Sequence, residues 1–86
     1  MKGLEELGFV RKDDRSFGYL VTFSRKVEGT ESLSTTDTVS IRPENRTVEL
    51  YRVHRYAEFG DSMEPMPVDV ETMNAITKEL EEFFAE

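Results

Sequence analysis

Phe17-Gly18-Tyr19-Leu20-Val21-Thr22-Phe23-Ser24 carries large apolar side chains at every second position, with Gly18, Leu20, Thr22 and Ser24 between them. Successive side chains of a strand point to opposite faces, so this period of two predicts a strand with Phe17, Tyr19, Val21 and Phe23 on the core face. Its counterpart is Val70, Met73, Ile76, Leu80 and Phe83, spaced by three, three, four and three residues. Those spacings gather one apolar stripe over about four helical turns, and such a stripe needs a sheet to lie across. Together the two signals predict an α+β fold, an antiparallel sheet with a C-terminal amphipathic helix packed on one face.

Working outward, Met1 to Leu7 reads as a short helix with Leu4 and Leu7 on one face. Gly8 stands where a left-handed ending is needed, and Phe9 is placed to contact Leu4. Fewer than two turns do not hold alone in water, so this helix must be docked. Phe9 to Lys12 reads as a short strand and Asp13 to Ser16 as a polar turn. Residues 28–38 are small and polar and read as a loop, as do residues 57–67 with Gly60, Pro65 and Pro67. Val39 and Ile41 open a strand that reaches the hairpin signal Arg42-Pro43-Glu44-Asn45-Arg46, in which Asn45 is expected to take the left-handed position. In the return strand, Thr47 to His54, Val48 and Leu50 share one face and Tyr51 and Val53 the other, which calls for a β-bulge or for cover on both faces. Asp69 is the expected N-cap of the last helix. The sum is a sheet of three to four strands in a single domain spanning residues 1–86.

The chain has 86 residues, no cysteine and a net charge of -7. At this size about 64% of the unfolded surface is buried on folding, which permits a real but thin core. Without cysteine no oxidising compartment is required, and the acidic, interrupted stretch Met1 to Val10 does not read as a signal peptide. No apolar run approaches the about 18 residues of a spanning helix, so a cytoplasmic protein without a membrane partner is expected. The charge is uneven. Residues 1–56 contain ten Lys and Arg against nine Asp and Glu, whereas residues 57–86 contain Lys78 alone against nine acids. An acidic chain is repelled by phosphate backbones and anionic lipid, which sets nucleic acid below protein as a partner.

No catalytic, cofactor or metal signature emerges. One histidine and no cysteine leave no zinc ligand set, and neither Asp13-Asp14 nor the Asp61, Glu64 pair has the ligand count that calcium requires. His54 has no acid or nucleophile placed beside it by spacing. Gly60-Asp61-Ser62 has the form of an esterase nucleophile block, but the only histidine lies upstream of it. The acidic final third reads as a docking surface for a basic protein. Its candidate residues are Glu79, Glu81, Glu82 and Glu86, with Phe59, Met63 and Met66 as apolar anchors. The glutamates near the helix C-terminus oppose the macrodipole, and such local inconsistencies concentrate at functional sites. A second reading is a nucleic-acid patch of Tyr51, Arg52, Arg55 and Tyr56, joined by Arg25 and Lys26 if the strands pair. A third is a homodimer that completes the thin core through a strand edge or through residues 57–67.

The layout, with Glu6-Leu7-Gly8-Phe9 after a short helix and an acidic amphipathic helix at the end, resembles the small orphan proteins of phages and prophages of Gram-positive bacteria. The resemblance implies an accessory or inhibitor role exercised by binding a partner, and assigns no functional residue. A non-enzymatic protein-interaction module is thus the expectation.

Overall fold

A computed structural model describes residues 3–29 and 33–84, Glu28 by its backbone alone. Five antiparallel strands follow one another in space as they do in sequence: β1 (Val10–Asp14), β2 (Leu20–Gly29), β3 (Leu33–Arg42), β4 (Thr47–Tyr56) and β5 (Gly60–Pro65). A 3₁₀ turn, Glu5–Leu7, precedes them and helix α1, Val70–Phe84, follows. The α+β class and the helix on one face agree with the sequence reading, but the sheet has five strands rather than three to four.

The two added stretches of strand come from segments that read as loops. Most of residues 28–38 belongs to β2 and β3, and β3 is the central strand, paired on both sides. Its serines and threonines looked like loop composition, yet threonine is β-branched and suits a strand. Thr35, Asp37, Thr38 and Ser40 are buried because neighbouring strands flank them, not because they are apolar. Residues 60–65 form the edge strand β5. Gly60 and Pro65 stand at its two ends, and an edge tolerates a proline.

Core formation follows the alternation in part. Val21 and Phe23 of β2 and Val39 and Ile41 of β3 are fully buried beneath α1, with Leu4, Phe9, Met66, Ala75 and Ile76 completing the cluster. Phe17 is 97% exposed, contrary to the alternation. Gly18 at φ +92 turns the chain and leaves Phe17 in the β1–β2 connection, before the strand begins. The helix stripe is likewise rotated. Thr72, Ala75, Ile76 and Glu79 face inward while Val70 and Met73 are exposed. The first turn of α1 borders a cavity lined on the sheet side chiefly by Arg25, Lys26, Asp37 and Arg52, so this end of the helix meets a mostly polar stretch of sheet.

Local endings follow their chemistry. Gly8, at φ +95, donates its N–H to Glu5 O at 3.2 Å, and Phe9 donates to Leu4 O at 3.1 Å. These are the two bonds of a Schellman ending, and they bury Leu4 against Phe9. The element is a 3₁₀ turn, shorter than the helix expected; Met1 and Lys2 lie outside the described residues. In the β3–β4 turn Asn45 N–H reaches Arg42 O at 3.2 Å, and the left-handed residue is Arg46 (φ 56), not Asn45. The turn holds four residues, so the reversal falls one position later. β4 pairs with β3 over ten unbroken positions and has no bulge; the bulge lies in β2 between Lys26 and Glu28.

Asp69 caps α1 as expected, its Oδ1 accepting the Thr72 N–H at 2.8 Å, and this bond holds the carboxyl below the usual aspartate range. Asp69→Ala is expected to cost about 1 kcal/mol of unfolding free energy in urea, the usual magnitude of a lost cap. A change below about 0.3 kcal/mol would mean that the cap does not hold this helix.

Candidate functional site

The acidic residues that the sequence grouped together do not form one surface. Glu81 and Glu82 are exposed on α1, whereas Glu79 is buried, 9% exposed, and faces the N-terminal segment. Glu86 lies outside the described residues. The Leu4 N–H bonds the Glu79 carboxylate, and Glu5 and Glu82 lie close enough to repel it. Burial first, and then Glu82 and Glu5, push the Glu79 proton affinity up, against the pull of Arg11 and the Leu4 amide. Two elements distant in sequence, the 3₁₀ turn and the C-terminal half of α1, thereby build one carboxylate-rich patch. Glu5 and Glu6 belong to it and were missed. The sequence signal was the need of that short helix to dock, which does not say where it docks.

The expected apolar anchors are elsewhere. Met66 is in the core, its N–H bonded to Leu50 O at 3.4 Å. Phe83 of α1 meets Tyr19 at the start of β2, and Arg46 lies over Phe84, so the helix ends where β2 and β4 begin. Phe59, 84% exposed, and Met63 belong to the β4–β5 hairpin at the opposite end of a molecule 46 Å long. A single partner contacting both sets would have to span nearly the whole chain.

Strands β2, β3 and β4 are each ten residues long, about 33 Å, while α1 covers about 22 Å. Past the start of the helix the covered face turns polar. Arg52 grips Asp37 with two bonds, Nε to Oδ1 at 2.7 Å and Nη2 to Oδ2 at 3.1 Å. Two residues further along, His54 stands between Thr35 Oγ1, 3.1 Å from Nδ1, and Glu64 Oε1, 3.3 Å from Nε2. With Nε2–H facing the carboxylate, Nδ1 accepts the threonine hydroxyl. Cross-strand pairing thus gives His54 both neighbours that its sequence context lacked. The order hydroxyl, imidazole, carboxylate is that of a nucleophilic relay. Thr35 is only 1% exposed, however, so its hydroxyl has no room for a substrate carbonyl, and the relay ties three strands together.

The proposed nucleic-acid patch is also divided. Alternation sends Tyr51 and Arg55 to the open face of the sheet, and Arg52 and Tyr56 to the face that α1 partly covers. On the open face a trough of about 350 Å³ runs between Thr22, Ser24, Thr36 and Thr38 on one side and Tyr51, Val53 and Arg55 on the other. Lys26 shares that face with them, whereas Arg25 donates to Leu7 O at 2.9 Å on the other. Among the described residues no group of three or more potential ligands could hold a metal ion, and no helix is long and apolar enough to cross a membrane.

Proton linkage follows from these geometries. Glu79 holds its proton more tightly in the fold than in the unfolded chain. Its contribution to stability is therefore full below about pH 4.5 and is lost as pH rises through its higher folded value. Asp13, held low by Arg11 and Tyr19, and Asp14 and Asp69, held low by the Ser16 and Thr72 amides, act in the other sense. Their contribution is full above 3.8 and is lost as pH falls through their lower folded values. Melting temperature is expected to rise as pH falls from about 7 toward 5 and to drop below about 3.8, and Glu79→Gln should flatten only the upper limb. An unchanged upper limb in that variant would remove Glu79 as its source.

Compared with known proteins, the chain matches no family model, no curated protein and no solved structure.

Proposed function

We propose that this chain is a non-enzymatic protein-interaction module of the cytoplasm, an accessory or inhibitor protein that docks a basic partner on the carboxylate patch of Glu5, Glu6, Glu81 and Glu82. The observation that carries this reading is the placement of Glu79 beneath that patch, buried and repelled by Glu5 and Glu82. Burying a carboxylate among like charges costs stability, and the cost falls when a cation is brought against it. Within the chain Arg11 and Lys78 are the cations placed near these carboxylates, against Glu5, Glu6, Glu79 and Glu82, and a docking protein would supply further lysine and arginine.

The reading predicts opposite effects on stability and on binding. In Glu5→Gln/Glu6→Gln/Glu81→Gln/Glu82→Gln, repulsion on Glu79 is relieved, so melting temperature should not fall. Immobilised in lysate of its host, the unaltered chain should retain a basic protein at about 150 mM salt, where screening already suppresses weak surface attraction. The fourfold variant should lose that protein. Retention of the same protein by both chains would remove the patch as the docking site.

A further inference from the structure

On the open face, Lys12, Lys26 and Arg42 make no ion pair among the described residues. The acids on its strands are Asp14, Glu49 and Asp61, set there by their register with Leu20, Ser40 and Arg55. Asp61 pairs with Arg55 at 3.6 Å, and Asp14 accepts the Ser16 N–H at 2.8 Å. Although the chain's net charge is -7, the strands of this face carry a small positive excess, the four cations Lys12, Lys26, Arg42 and Arg55 against those three acids. The outer acids of α1 are separated from it by the sheet and by the helix's own diameter of about 10 Å, more than the Debye length of about 8 Å at physiological salt. The overall negative charge consequently does not exclude an anion from this surface.

The register sets Lys12 opposite Thr22 and Lys26 opposite Thr36, so the two lysines flank the trough along its length. Across it stand Tyr51 and Arg55, and its floor is a row of small hydroxyl side chains. A ring, hydroxyl donors and acceptors, and cations on both sides are the groups that take a base, a sugar edge and phosphates. A folded basic protein meets more cations than acids here, and an apolar helix meets only Val53 and the Tyr51 ring among hydroxyl side chains.

We propose that the open sheet face is a second site, independent of the carboxylate patch, which binds single-stranded nucleic acid. Tyr51 stacks on a base, and Lys12, Lys26 and Arg55 contact phosphates. Arg52 and Tyr56 take no part, because they project from the other face.

The test is fluorescence anisotropy of the full chain with a labelled 16-nucleotide single strand of mixed sequence, starting at 20 mM salt. Binding is expected, with a log–log salt slope of about -2, the value for three phosphate contacts on a single strand. Tyr51→Ala should weaken it about tenfold and Tyr51→Phe much less, as loss of stacking predicts. Arg55→Gln, at a largely exposed position where folding is not at risk, should lower the slope by about 0.7. No binding at 20 mM salt, equal binding by Arg55→Gln, or equally tight binding of a glutamate-rich peptide would each overturn the assignment. The fourfold glutamine variant of the carboxylate patch should keep oligonucleotide binding, which separates failure at this site from failure at the other.

Discussion

Arg52→Ala is expected to destabilise the fold by about 3–5 kcal/mol, the usual cost of removing one partner of a buried ion pair. Asp37 is 3% exposed at the middle of the central strand, and Arg52 meets both its oxygens. Arg25 lies opposite Asp37 on β2, but it is engaged with Leu7 O and with the Phe9 ring, 4.4 Å away. The truncation therefore leaves a buried carboxylate without its partner. Total stability for a chain of this length is about 4–13 kcal/mol, so such a loss would bring the protein near unfolding. Asp37→Thr/Arg52→Ala should recover most of it, because the lone buried charge is gone. Urea unfolding checks both variants. A single-variant loss below about 1 kcal/mol would mean that water reaches Asp37.

Phe23→Ala is the second large effect, about 3–5 kcal/mol, combining lost transfer free energy with the cavity left behind. Phe23 is fully buried where Arg11 of β1, Val39 of β3 and helix α1 meet over β2, in a core that holds nine buried apolar residues among those described. Phe17→Ala, six residues earlier on the same sequence alternation, should change stability by less than about 0.5 kcal/mol, since the ring is exposed. Equal losses at the two positions in thermal melts would place Phe17 on the core face and contradict the turn at Gly18.

The contrast between these two phenylalanines shows where the sequence was legible. Period two located β2, and the 3.6 period located α1 with its Asp69 cap, because both depend on local pattern alone. The Schellman ending at Gly8 was legible for the same reason. What failed depended on neighbours. β3 is central through pairing on both sides, so its Ser and Thr residues needed no apolar signature to be buried. β5 owes its state to the pairing of Met63 with Val53 and of Asp61 with Arg55. The acidic site was legible as composition and not as place. Glu79 turned inward with the rotated helix, Met66 entered the core, and Glu5 and Glu6 joined Glu82 only because the N-terminal turn packs beside the end of α1. The division of Tyr51 and Arg55 from Arg52 and Tyr56 follows from alternation in an unbroken strand. It was hidden by the ambiguity over a bulge in β4, which the structure places in β2.

Docking of a basic partner on the carboxylate patch is the central claim, and amide NMR tests it most directly. The ¹⁵N-labelled chain would be titrated with a lysine- and arginine-rich peptide of about twelve residues at about 150 mM salt, where nonspecific surface attraction is largely screened. The predicted result is saturable shifts confined to residues 4–7 and 77–84, abolished in the fourfold glutamine variant, with residues 51–55 and 60–65 unmoved. Shifts centred on the β4–β5 hairpin, or none at that salt, would contradict the account.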